Sequence, residues 1–319
     1  MTIGRFYGVN GKDLLRHYRD FQSGFKNWSQ KGHAKKWLLF PQNIGSHLSI
    51  DETSLSHGEL YTILTNKSAK GGKGCIVAIV AGTKAETVIE VLRKIPGSQR
   101  KKVTEITLDM AGSMTMISKR CFPRATRVTD RFHVQRLAIE ALQEIRIKHR
   151  WEALDNEHDA IEQAKISQTE YQPEILPNGD TVKQLLARSR YALYKKPNTW
   201  TESQRERVQL LFERFPDLKK AYELAIELSN IFTNTTEKIY GLTRLAKWYE
   251  KVRQSGFKPF NTVARSIENH YKTIVNYFDN RSTNASAESF NAKIKAFRAQ
   301  FRGVRNVEFF LYRLTQLYA

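Results

Sequence analysis

The stretch Leu48–Val80, LSIDETSLSHGELYTILTNKSAKGGKGCIVAIV, decides how the chain must be read. It holds three runs rich in β-branched and large apolar residues, Leu48–Ser54, Leu60–Thr65 and Cys75–Val80, each bounded by Gly, Asn, Lys or Ser clusters. The short connections between them favour an antiparallel meander. Downstream the pattern alternates: a helix over Ala85–Ile95, a strand over Val103–Leu108, a helix over Gly112–Cys121 and a strand over Ala125–Thr129. The outline is βββαβαβ, a mixed α/β sheet. After Phe132 the strand signals cease, and the chain reads as successive helices punctuated by Pro173, Pro177, Pro197, Pro216 and Pro259, with Thr181, Thr201 and Thr236 as candidate N-caps. The last two helices are expected near Asn284–Arg298 and Val307–Leu317. Upstream, Leu14, Leu15, Tyr18, Phe21 and Phe25 recur at helical spacing and predict one helix over Lys12–Trp28.

Composition narrows the classes. The chain has 319 residues, 40% of them hydrophobic, which is enough to bury a real core. Its 52 Lys and Arg against 32 Asp and Glu give a net charge of +20. That excess points to a polyanionic partner. Cys75 and Cys121 are too few for a disulfide framework or a four-thiolate zinc site, so a reducing, cytosolic setting is expected. The longest apolar run, Cys75–Ala81, is far short of a membrane span of about 20 residues, and no signal-peptide core occurs in residues 1–30. Neither membrane nor export is indicated.

Four acids occupy positions that a merely solvated charge would not choose. Asp51 lies inside a strand, where acidic residues are depleted. Asp109 and Asp130 end the strands Val103–Leu108 and Ala125–Thr129, at the carboxyl ends where functional groups gather in open α/β sheets. Glu288 lies early in a late helix. Each alone reads equally well as a helix cap or a satisfied acid. Together, in a strongly cationic chain, they make a hard oxygen donor set suited to Mg²⁺ or Mn²⁺. Phosphodiester chemistry uses such a set to hold two metals about 3.5–4 Å apart.

The order of these residues resembles the DDE transposases of bacterial insertion sequences, which share an RNase H-like fold. Asp130-Arg-Phe-His133 is similar to the C/DxxH motif of the branch whose fold is interrupted by a helical insertion. Ser286-Ala-Glu-Ser-Phe-Asn-Ala-Lys-Ile-Lys295 resembles the glutamate helix of that branch, and Phe301–Phe310 resembles the tail of the family. The resemblance covers about residues 46–319. It implies a βββαβαβ sheet split by an all-helical insertion, with a helical lead-in over 1–46, the first part of the core over 47–133, the insertion over 134–283 and the closing helices over 284–319.

The resemblance and the geometry it implies assign roles. Asp51 and Asp109 would face one another on neighbouring strands and share metal, with Glu288 completing the set and two Mg²⁺ or Mn²⁺ ions expected. Asp109 is favoured as the second acid because its strand lies beside the first; Asp130 competes for that place, and His133 is a secondary active-site candidate. On the glutamate helix, Asn291 and Lys295 share a face with Glu288. With Arg298 and Arg302 they are candidate DNA contacts. The insertion is expected to touch DNA through cations such as Arg188, Arg190, Lys195 and Lys196, and offers Trp151, Trp200 and Trp248 as rings for base stacking.

The implied function is metal-dependent cleavage at transposon ends followed by strand transfer into target DNA, by a homo-oligomer in a synaptic complex at the bacterial nucleoid. A structure-selective nuclease of the same fold and a non-catalytic DNA-binding regulator are the alternatives. Residues 1–46 hold no cysteine pair and no full three-helix reader. A separately encoded end-recognition protein, or a truncated copy, is therefore expected.

Overall fold

The computed structural model describes residues 2–56, 58–300 and 304–319. The chain forms two compact units, one built from residues 1–130 and 282–319 and the other from 131–281.

The first unit opens with short helices α1 (Thr2–Phe6) and α2 (Gly11–His17), and then strand β1 (Trp37–Leu39). The single helix expected over Lys12–Trp28 does not form. Gly24 breaks it by adopting the left-handed conformation (φ +77°), where an added Cβ would lie 3.1 Å from the Tyr312 hydroxyl. The meander follows as β2 (His47–Ser56), β3 (Glu59–Asn66) and β4 (Ile76–Ala81). Next come α3 (Ala85–Leu92), α4 (Gly97–Arg100), β5 (Glu105–Leu108), α5 (Gly112–Cys121) and β6 (Thr126–Thr129). Strand order is β1-β4-β3-β2-β5-β6; the pairs from β1 to β2 are antiparallel, and β5 and β6 run parallel to β2. This is an RNase H-like mixed sheet with β1 added at one edge.

The second unit is all helical apart from an isolated bridge between Ile175 and Thr181. It contains α6 (Arg131–Ile166), α7 (Val182–Arg188), α8 (Glu202–Arg214), α9 (Pro216–Asn234), α10 (Lys238–Ser255), α11 (Lys258–Asn269), α12 (Tyr271–Val275) and α13 (Tyr277–Asn280). Two of the expected N-caps hold, and Thr201 makes a full capping box with Gln204. Thr236 does not cap, because α10 starts two residues later behind Glu237. The core is aromatic. Trp248 is fully buried and donates its indole N–H to the Leu224 carbonyl at 2.9 Å. Asp180 is buried between Arg188 and Arg207, tying α7 to α8. Among the described residues no helix is long and apolar enough to cross a membrane.

Back in the first unit, α14 (Ala285–Gln300) and α15 (Val307–Tyr318) close the fold. Strand alternation divides the side chains between two faces. Leu48, Ile50, Ile106 and Leu108 turn toward α3 and α5 and meet Val88, Leu92 and Ile117. Leu55, Tyr61, Ile63 and Ile79 turn the other way, against Phe290, Ile294 and Phe297 of α14 and Leu311 and Leu314 of α15. The candidate acids belong to that second face.

Candidate active site

Register aligns the aspartates. In the parallel pair β2–β5, Ser49 lies opposite Thr107, so two residues on Asp51 is level with Asp109. In β5–β6, Leu108 lies opposite Thr129, so Asp130 is level with Asp109 in turn. Adjacent strands are about 4.8 Å apart. The three aspartates therefore form a row across the carboxyl ends of β5 and β6 and the middle of the longer β2.

Their surroundings differ. Asp51 is half-buried; its Oδ1 accepts the Glu52 backbone N–H at 2.8 Å, and its Oδ2 accepts the Asn291 side-chain amide of α14 at 2.7 Å. Asp109 is also half-buried and accepts the Ala111 N–H at 2.8 Å, the turn that launches α5. Asp130 is only 1% exposed, and its N–H donates to the Leu108 carbonyl at 2.9 Å. The Glu52 carboxyl is held above the usual range, first by burial and then by the charges of Asp109 and Asp51. Negative potential is thus concentrated where these strands end.

Beneath the row lies a buried polar cluster that sequence reading missed. Lys67 follows β3 and donates to the Thr107 hydroxyl at 2.8 Å, to Glu105 at 3.4 Å and to the Ser282 hydroxyl. Burial pulls its ammonium below the ordinary lysine value, against the opposing charges of Glu105 and Asp130. Ser282 in turn donates to Glu105. Two residues later the buried Asn284 accepts from the Ser49 hydroxyl and starts α14 with its carbonyl. In the sequence, Asn66-Lys67-Ser68 reads only as a polar turn, and nothing local signals that its lysine points inward.

The glutamate helix is therefore pinned to β2 and β5 through Ser282, Asn284 and Asn291. Glu288 is exposed in its first turn, three residues before Asn291 and so on the same stripe. Asn291 points to Asp51 rather than away from the protein. Lys295 is exposed one turn on, and Arg298 donates to the Leu55 carbonyl at 3.4 Å. Arg302 lies outside the described residues. His133 is half-buried in the first turn of α6, in the helical unit, with its ring edge-on to Phe132 at 5.8 Å. Of the three tryptophans, Trp248 is core, Trp200 bonds to the Ala192 carbonyl and Trp151 is 62% exposed.

Among the described residues no three His, Cys, Asp or Glu side chains gather closely enough to hold a metal ion. The donor chemistry on the row nevertheless fits a hard divalent cation, since Asp51 and Asp109 present carboxylate oxygens from neighbouring strands and their charges already reach Glu52.

Comparison with known proteins decides the family. The sequence profile of a transposase family, the ISL3 group of DDE transposases, matches residues 48–314, from the start of β2 into α15. The chain belongs to that family. It is also 25% identical over 254 residues to the transposase for insertion sequence element IS1557 from two strains of Mycobacterium tuberculosis, a match covering 78% of this chain and 54% of each relative. The chain thus spans about half the length of the curated relatives it matches. The matched span includes Asp51, Asp109, Asp130 and the whole of α14.

Proposed function

We propose that the chain is the catalytic part of a transposase that cuts DNA at the ends of its element and joins the freed 3′ ends to target DNA. The observation that carries this reading is the register of β2 and β5, which puts Asp51 and Asp109 level on the face against which α14 packs. Asp51, Asp109 and Glu288 are the proposed ligands of two Mg²⁺ or Mn²⁺ ions. When bound, such ions polarise the scissile phosphate and acidify the attacking water. The chain's own residues prepare the site. The Glu52 and Ala111 N–H groups and the Asn291 amide fix the aspartate carboxylates in one orientation, so that little reorganisation is left for binding or chemistry. Asp109 is preferred to Asp130 as the second acid, since Asp130 is almost fully buried and Asp109 is within reach of solvent. Lys295, Arg298 and Arg302 are proposed phosphate contacts along the same helix and the segment that follows it.

The proposal extends to partners. Two element ends must be held together, which calls for a homo-oligomer, and a separately encoded protein is proposed to read the ends. Selective binding by this chain alone to its own ends over random DNA, persisting at high salt, would remove the need for that protein.

The deciding assay incubates the protein with Mg²⁺ or Mn²⁺ and labelled DNA carrying the element ends. Joined products support transposition; nicks alone identify a structure-selective nuclease; binding without cleavage identifies a regulator. Asp51→Ala, Asp109→Ala and Glu288→Ala are each expected to lower cleavage at least a thousandfold while DNA binding is kept or strengthened. Activity retained by Asp109→Ala and lost by Asp130→Ala would move the second ligand to β6.

A further inference from the structure

The pole of the sheet opposite the aspartate row is strongly and one-sidedly basic. Arg93 and Lys94 follow α3, Arg100, Lys101 and Lys102 surround the end of α4, and Lys119, Arg120 and Arg124 surround the end of α5. All but the half-buried Arg100 are exposed. These three helix ends converge. The Arg100 guanidinium donates to the carbonyls of Ile95, at the end of the α3 turn, and of Cys121, at the end of α5. The charges of Arg100 and Arg93 both reach the Cys121 thiol. The turn 101–104 enters β5 and the turn 122–125 enters β6, joined where the Thr126 N–H donates to the Thr104 carbonyl at 2.8 Å.

Helix capping does not account for this much charge. Cations near a helix C-terminus offset a partial charge of about −0.5 each, so three helix ends absorb roughly one and a half charges. The nearby exposed acids are Glu86 and Glu90 on α3; Glu105 is buried on the other face with Lys67. Leaving aside Lys94, whose ammonium lies over the Trp37 ring of β1 at 5.4 Å, roughly three to four positive charges remain, and among the described residues none of the other seven cations takes part in an ion pair. Holding so many like charges together without counter-charges is unfavourable unless a polyanion meets them.

We infer that this pole binds the phosphate backbone of duplex DNA, at phosphates other than the scissile one. The separation follows from the strand. β5 is four residues long, so its entry and exit lie about 13 Å apart at roughly 3.3 Å per residue, and the basic turns extend the gap further. Phosphates held here are not those beside Asp109. That the polyanion is DNA rests on the transposase reading; the surface itself rests on the charge and the fold.

The test uses the full chain and a labelled duplex of unrelated sequence, with binding measured without divalent metal between about 50 and 200 mM salt. The variant Lys101→Gln/Lys102→Gln/Lys119→Gln/Arg124→Gln is expected to lower the slope of log affinity against log salt by up to about 3.6, near 0.9 for each phosphate no longer neutralised. Its Mn²⁺-dependent nicking at low salt and its melting temperature should stay near those of the parent. Asp51→Asn, in contrast, should lose nicking and keep the slope. An unchanged slope, with or without a lower melting temperature, overturns the inference and leaves the cations as helix caps. A second measurement on the unaltered protein covers a variant that fails to fold: duplex DNA should slow acetylation of Lys101, Lys102 and Lys119 several-fold, and equal rates with and without DNA overturn the inference. A slope change seen only with duplex RNA overturns the assignment to DNA. Because binding is read without metal, an enzyme that never cleaves leaves this test intact.

Discussion

Asn291 shows how much one amide can decide. Its contact with Asp51 links the helix that carries Glu288 to the strand that carries the first aspartate. Outer hydrogen bonds of this kind typically tune metal affinity 10–100-fold. Asn291→Ala is therefore expected to weaken Mn²⁺ dependence of cleavage by at least tenfold while duplex binding in the absence of metal stays unchanged. A loss of duplex binding with unaltered metal dependence would return Asn291 to the role of a DNA contact. Asp51 and Asp109 stood out in the sequence only as members of a set, since each alone also reads as a helix cap or a satisfied acid. The sequence did not make Asn291 legible as the partner of Asp51. Helical spacing put it on a face with Glu288 and Lys295, and only the packing of Phe290 and Ile294 turns that face toward β2. Lys67 was hidden for the converse reason, since burial of a lysine depends on partners 38 and 215 residues away. Lys67→Met leaves the buried Glu105 without its cation and should destabilise the protein by about 3 kcal/mol. Lys67→Met/Glu105→Gln should recover most of that in thermal melts; a double variant no more stable than the single one would contradict the pairing.

At the scale of elements, β2 to β6 were readable in the sequence and β1 was not. β2, β3 and β4 carry their signal in adjacent residues, as do α5 and α15. β1 has only three residues and owes its existence to pairing with β4, a long-range contact that no local pattern encodes. At the helical break, Gly24 leaves only 3.1 Å between an added Cβ and the Tyr312 hydroxyl, a neighbour nearly the length of the chain away. In the helical unit, Asp180 joins α7 and α8 in a way that makes their packing sensitive to pH. Burial pushes its carboxyl up, but hydrogen bonds and charge from Arg207 and Arg188 outweigh that and hold it below the usual range. An acid depressed in the folded state contributes stability above its unfolded value, near 3.9, and loses it as pH falls through the folded value. Melting of the protein should therefore fall more steeply below about pH 4 than melting of Asp180→Asn, which should already be less stable at neutral pH by roughly 2–4 kcal/mol. Parallel curves for the two proteins would show that Asp180 bears no such load.

For the whole molecule, the chain leaves the sheet-bearing unit after residue 130 and returns to it at residue 282, two crossings of the insertion. The crossings also lie together. Asp130 ends β6 within the electrostatic reach of Lys67, and Ser282 hydrogen-bonds to that same lysine. Residues 131–281 are thus inserted between two neighbouring points of one unit, and excision is geometrically permitted. Replacing them by a short Gly-Ser linker should leave a chain that melts cooperatively, with the hydrogen-exchange protection of β2, β3 and β5 retained. Absence of a cooperative transition would mean that the sheet needs the helical unit in order to fold.

The same insertion sets a timetable. α14 and α15, which cover Leu55, Tyr61, Ile63 and Ile79, leave the ribosome only after residues 131–281 have been made. At about 5–20 residues per second that interval is roughly 8–30 s, during which one whole face of a nascent sheet stays uncovered. Until α14 and α15 emerge, that apolar face can meet other apolar surfaces, so a chain released before α14 is expected to aggregate rather than to fold.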